Sequence, residues 1–228
     1  ARAEKVGMPI IWHVADPADF WKGDAGRSKG WTYGSRDVSK DQLHKEVENV
    51  AKRHPKLIII VAHFSFLSGE LERAAKLLRA CPNLYFDTAL GGELLFRLSD
   101  DPARSRRFFE EFQDRLLYGT DTSDRNHISL ARQKARLIRR LLETDKPFSY
   151  SGDGKADLHG LGLSKAILVK FYAKNFETIV GPEPRRVDLK KAIAYSERCA
   201  RITAKMTGRA MEDTSPGKVA EAFRRLAR

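Results

Sequence analysis

Two histidines and an aspartate stand where apolar segments end. His13 closes the run from Met8 through Pro9, Ile10, Ile11 and Trp12, and His63 closes the run from Leu57 through Ile58, Ile59, Ile60, Val61 and Ala62. Asp121 follows Leu116, Leu117, Tyr118, Gly119 and Thr120. Imidazole and carboxylate are the donors that Zn²⁺ or a similar divalent ion takes in catalytic sites. Such an ion lowers the pKa of its bound water to about 7 and supplies hydroxide at neutral pH. A lone histidine at a strand end is ordinarily a satisfied polar residue. Three donors at equivalent strand ends point to a shared site, with their polar atoms expected within ~8 Å of one another.

The remaining histidines are weaker candidates. His44 reads as lying on a solvated helix face, and His54 ends that helix before Pro55. His127 and His159 fall in or beside loops, where they could touch a substrate. Residues 16–36 are long for a strand-to-helix connection and carry Phe20, Trp21, Trp31 and Tyr33 among Gly, Asp and Lys. A loop of that length with aromatic residues suits a lid as well as a packed surface excursion.

The elements that would position these residues follow from apolar periodicity. Residues 8–14 and 57–63 read as buried strands, 84–87 as a shorter third and 115–119 as a fourth. Strands without polar alternation belong in parallel sheets covered on both sides. Between them, Ser39 with Gln42 forms a capping box ahead of Leu43, Val47 and Val50. Ser68 opens a second helix with Leu71, Ala74, Ala75 and Leu78 on one face. Asp101 with Pro102 starts a third, which buries Phe108, Phe109 and Phe112. Residues 128–142 form a fourth. This strand–helix alternation gives an α/β fold with parallel strands, and in such folds ligands bind where the strands' carboxyl ends converge. It suits either a small open sheet or half of an eight-unit barrel. Residues 144–162, with Ser151, Gly152, Asp153 and Gly154, read as a loop or flap. The remainder is helical: residues 164–180, a helix capped by Asp188 that carries Leu189, Ile193, Cys199 and Met206, and a last charged helix from Ser215 and Pro216.

Composition narrows the class. A chain of 228 residues, 42% hydrophobic and 32% charged, can bury a real core, and no apolar run approaches the ~20 residues of a membrane span. Cys81 and Cys199 fit neither a disulfide framework nor a zinc knuckle, so they read as reduced thiols in a cytoplasmic protein. The net charge of +12 is spread over helices, for example Arg104, Arg106 and Arg107, then Arg132, Lys134, Arg136, Arg139 and Arg140. No nucleic-acid motif or aromatic stripe accompanies it, so solvated helix faces are the preferred reading.

Several segments together resemble a known family. They are Ile11-Trp12-His13-Val14-Ala15-Asp16-Pro17, Arg53-His54-Pro55 with Ile60-Val61-Ala62-His63-Phe64, Tyr85-Phe86-Asp87, and Leu117-Tyr118-Gly119-Thr120-Asp121. In order and approximate spacing they are similar to the amidohydrolase-related family, a branch of the amidohydrolase superfamily that also contains aminocarboxymuconate-semialdehyde and resorcylate decarboxylases. Arg107-Phe108-Phe109 and residues 169–176 resemble further family segments, and the likeness covers roughly residues 6–181. It implies a (β/α)8 TIM-like barrel with these strands as the fifth to eighth. Residues 1–181 are then a partial barrel and 182–228 a C-terminal helical extension. It also implies a divalent metal ion, Zn²⁺ by preference, with His13 and Asp121 as ligands. His63 would polarise the substrate or orient water, and Asp121 would act as base. That family's first strand carries a His-x-His ligand pair. This chain has none, so it is read as a fragment lacking the first half, which by itself need not bind metal tightly or turn over substrate.

The leading reading is a metal-dependent hydrolase attacking a C–N or C–O bond of a small molecule, with a homodimer left open and no membrane partner. The alternatives are a non-oxidative decarboxylase on the same metal site and a non-enzymatic basic binding module. The second would show as CO₂ release, the third as steeply salt-dependent binding to duplex DNA.

Overall fold

Four short strands pair side by side in sequence order: β1 (Ile10–Trp12), β2 (Ile59–Val61), β3 (Leu84–Asp87) and β4 (Leu116–Leu117). Every pairing is parallel, with Ile11 opposite Ile60, Ile60 opposite Tyr85, and Asp87 opposite Leu117. This is a computed structural model, and it describes residues 2–21, 33, 37–89, 91–123, 127–150, 156–183 and 186–227. The chain divides into two units, Ala1–Pro182 and Glu183–Arg228.

In the first unit the connections are helical. Helix α1 (Lys40–Arg53) precedes β2, α2 (Leu71–Ala80) precedes β3, and α3 (Gly92–Asp100) with α4 (Pro102–Glu111) precedes β4. Helix α5 (Ile128–Glu143) follows. Caps set several of these starts. Ser39 accepts from the Gln42 N–H at 3.1 Å, and Asp101 accepts from the Arg104 N–H at 2.9 Å with Pro102 in the first turn. Each cap satisfies a donor that the helix leaves unpaired. The second helix starts later than expected. It begins at Leu71, while Ser68 lies buried ahead of it and donates to Glu93.

The core sits between sheet and helices. Phe64, Phe86 and Phe109 are fully buried, and Phe64 also packs on Phe108. Side-chain amides, one buried and one half-buried, tie the segments flanking the strands. Asn175 Nδ2 donates to Gln113 O at 2.7 Å and to Leu116 O at 2.8 Å, and Asn83 Nδ2 reaches three carbonyls, those of Ala51, His54 and Leu57.

Two expectations are corrected. Strand β1 is not buried on both faces: Ile11 is 71% exposed, and Ile10 and Trp12 on either side of it are half-buried. Residues 144–162 are not simply a loop, since β5 (Pro147–Tyr150) and β6 (Ala156–His159) form an antiparallel pair with Phe148 and Leu158 buried. Ser151, Gly152, Asp153 and Gly154 lie outside the described residues. The segment 165–180 is helical throughout but includes a π-helical turn at Lys170–Lys174, and it is designated α6.

The second unit is a pair of helices, α7 (Leu189–Thr207) and α8 (Ser215–Leu226), capped by Asp188 and Thr214. Ser196 and Ala200 are buried on α7, and Ala220 on α8. Met206 and Tyr195 stay 80% and 69% exposed, so the apolar residues of α7 are not all core. Among the described residues, no helix is long and apolar enough to cross a membrane.

Candidate functional site

His13 and His63, one residue beyond β1 and two beyond β2, meet edge to face with ring centroids 5.0 Å apart. Phe66 stacks on His63 at 5.0 Å and meets His13 edge-on at 5.6 Å. His63 Nδ1 lies 3.0 Å from Ala89 O. A carbonyl only accepts, so Nδ1 carries the hydrogen, and Nε2 of the neutral ring is left with its lone pair.

The backbone that presents His63 is unusual. His63, Phe64, Ser65 and Phe66 all have positive φ, between 51° and 56°. Each non-glycine residue in this left-handed region costs roughly 1–2 kcal/mol. The turn is therefore held from outside. Asp87 Oδ1 accepts the His63 N–H at 2.9 Å, His44 Nε2 is 2.9 Å from Ser65 O, and Lys40 Nζ donates to Phe66 O at 2.7 Å. Strain at a non-glycine turn, fixed by three side chains from two other elements, is typical of a functional site.

His44 is thus corrected from a solvated residue to a buried one, 4% exposed. Burial pushes its pKa down, so the ring stays neutral and donates from Nε2. Its Nδ1 is buried without a partner. The apolar periodicity of α1 placed Val47 inward but gave no sign that the ring at His44 faces a strained turn.

Asp87 is the residue that sequence reasoning passed over as a site member. Its Oδ1 also accepts the Ala89 N–H at 2.9 Å, so one carboxylate orients both His63 and the residue that anchors the His63 ring. Burial raises its pKa above the usual carboxylate value. The two backbone N–H bonds and His63 oppose that rise, and the charge of Asp121 adds to it. Gly119 belongs here for lack of a side chain: a Cβ would stand 3.0 Å from Ala89 N.

Asp121, beyond β4, also has positive φ, 50°, and its side chain is 59% exposed. Lys134 from α5 donates to the Asp121 carbonyl at 2.8 Å and approaches its carboxylate to 3.9 Å. Beside His63 opens a cleft of about 570 Å³, whose lining includes Phe20, Phe66, Phe96, Glu93 and Arg97. Burial raises the Glu93 pKa against the Ser68 hydroxyl that donates to it.

The long connection contributes to this region. Its turn at Ala18–Trp21 brings Phe20 to the cleft, and Tyr33 packs against Trp21 with centroids 4.5 Å apart and the rings tilted by 38°. The Tyr33 hydroxyl donates to Asp16, and this bond pushes its pKa up to about 12. Trp31 and most of residues 22–36 lie outside the described residues. His54 caps α1, and its bond to Glu4 at 2.9 Å holds that carboxyl below its usual range. His127 caps α5, and the His159 backbone N–H donates to Ser99.

The donors are right in kind for a divalent ion but short in number. Among the described residues, no group of three or more His, Cys, Asp or Glu is placed to hold one. His13 and Asp121 together would fill half of a tetrahedral shell. The described residues therefore do not by themselves fit a resident metal.

A family model described as amidohydrolase matches residues 1–175. Comparisons with curated proteins and with solved structures found no match.

Proposed function

Because the chain belongs to the amidohydrolase family, we propose that it acts as a metal-dependent hydrolase on a C–N or C–O bond of a small molecule. In this reading β1 to β4 are the fifth to eighth strands of a (β/α)8 barrel. The observation that carries it is the meeting of the His13 and His63 rings at adjacent strand ends, with His63 Nδ1 committed to Ala89. His63 then holds an oriented Nε2 toward substrate or attacking water. Asp121 is the base, and Lys134 stands close enough to offset its charge when it is ionised. Phe20, Phe66 and Phe96 line the cleft beside His63 and would give a small-molecule substrate apolar contacts. A divalent ion, Zn²⁺ by preference, would take His13 and Asp121 as two of its ligands. No step above depends on that ion.

The test is calorimetric titration of Zn²⁺ into the chain, run beside a panel of ester, lactone and amide substrates. His13→Ala and Asp121→Ala should each weaken Zn²⁺ binding about tenfold or more. His63→Ala should remove turnover while largely sparing Zn²⁺ binding. Zn²⁺ binding that ignores both ligand substitutions would overturn the metal assignment. CO₂ release from an aromatic or unsaturated carboxylic acid, without hydrolysis, would replace the hydrolase by a decarboxylase.

A further inference from the structure

Helix α7 carries two different faces. Ser196 and Ala200 are buried. A second stripe, Ala192, Tyr195, Cys199, Ile202 and Met206, recurs at alternating spacings of three and four residues. That is the a/d pattern of a heptad, sustained over 15 residues, or about 21 Å of helix at 1.5 Å per residue. Three of its five members are open, Tyr195 at 69%, Ile202 at 51% and Met206 at 80% exposed, while Ala192 and Cys199 are half-buried.

The flank of this stripe is uniformly basic. With Ala192, Cys199 and Met206 at a, every preceding g position is a cation: Lys191, Arg198 and Lys205. Lys191 is paired with Asp188 at 3.2 Å. Among the described residues no carboxylate joins Arg198 or Lys205. The opposite flank offers Ser196 and Thr203, of which Ser196 is buried. Residues 183–228 as a whole hold twelve Lys and Arg against six Asp and Glu.

We propose that this free face of α7 docks a partner helix bearing apolar a and d residues and acidic residues opposite Lys191, Arg198 and Lys205. The occupant follows from charge and width. A second copy packed antiparallel would oppose g to g, cation to cation; packed parallel, it would offer Ser196 and Thr203, which cannot neutralise them. The stripe is a narrow a/d seam rather than the apolar face, 100° or wider, of a helix lying on lipid or a core. A seam flanked on one side by Lys191, Arg198 and Lys205, of which only Lys191 meets a carboxylate among the described residues, fits an acidic amphipathic helix. This surface is independent of the hydrolase reading, since it shares no residue with the strand-end site.

The test uses two synthetic helical peptides, one with Leu and Ile at a and d and Glu at e and g, the other with Lys in place of Glu. Each is fluorescently labelled and titrated with the full chain. The Glu peptide should bind, more weakly as salt rises, and the Lys peptide should not. Ile202→Glu should weaken binding about tenfold or more, and the double change Arg198→Glu with Lys205→Glu should transfer preference to the Lys peptide. All these positions are exposed, and circular dichroism confirms that helix content is kept. Failure of both peptides to bind, equal binding of both, or indifference to Ile202→Glu would overturn the proposal. So would a dimer of the chain alone that Ile202→Glu dissolves, or preferential uptake onto phosphatidylserine vesicles.

Discussion

A single carboxylate does much of the positioning at the strand ends. Asp87 Oδ1 accepts the N–H groups of His63 and Ala89, and Ala89 in turn accepts from the His63 ring. Its two jobs pull in opposite directions. Accepting two N–H bonds favours the charged form, whereas burial and the charge of Asp121 disfavour it, and the net effect is a raised pKa. A carboxyl whose folded pKa exceeds its unfolded value of about 3.9 gives full stability below that value. That stability is lost as pH climbs through the raised folded pKa. Asp87→Asn keeps an oxygen acceptor and removes the charge. It should therefore be no less stable than the parent at pH 7, and its unfolding free energy should vary less from pH 4 upward. Asp87→Ala leaves two N–H groups without an acceptor and should cost about 1–3 kcal/mol. Urea unfolding across pH reads both, and an Asn variant as destabilised as the Ala variant would refute the assignment.

The helices and strands of this chain were largely legible, and the exceptions share a cause. Caps at Ser39, Asp101 and Asp188 and the apolar run of β2 carry their signals within a few residues, and the structure places elements there. His13 and His63 could be named because each directly follows an apolar run. What stayed hidden depends on partners distant in sequence. The β5–β6 pair buries Phe148 and Leu158 from four-residue strands beside a Gly-rich stretch, too short for alternation to stand out. His44 and Asp87 matter through the turn at His63–Phe66, which no local pattern announces, since its residues are not the glycines such a turn prefers. That turn gives a test at the same scale. Ser65 has φ of 56°, is fully buried, and its hydroxyl has no hydrogen-bond partner. Ser65→Gly relieves roughly 1–2 kcal/mol of left-handed strain and removes a buried hydroxyl, against about 0.5–1 kcal/mol of added chain entropy. A net gain of about 1 kcal/mol should appear as a higher Tm. A lower Tm would mean that Ser65 makes contacts worth more than the strain.

At the scale of the molecule, the parallel sheet has two outer strands, β1 and β4, and β1 is the poorly covered one. Ile11 within it is 71% exposed and Val6 and Met8 just ahead of it are 60% and 57% exposed, whereas β2 is buried at every position. Parallel strands are normally covered on both faces, and an apolar outer strand invites pairing with another chain. The net charge of +12 works against that, because two copies repel each other at low ionic strength. Salt shortens the reach of this repulsion to about 8 Å at 0.15 M while leaving apolar attraction in place. Association through β1 should therefore grow as salt is added, the reverse of binding driven by the basic residues. Ile11→Lys places a charge on the exposed face without touching the core and should abolish the salt-promoted rise in light scattering, with an unchanged circular dichroism spectrum. Scattering that falls with salt, or that ignores Ile11→Lys, would show that the contacts between copies lie elsewhere and that β1 is protected in solution.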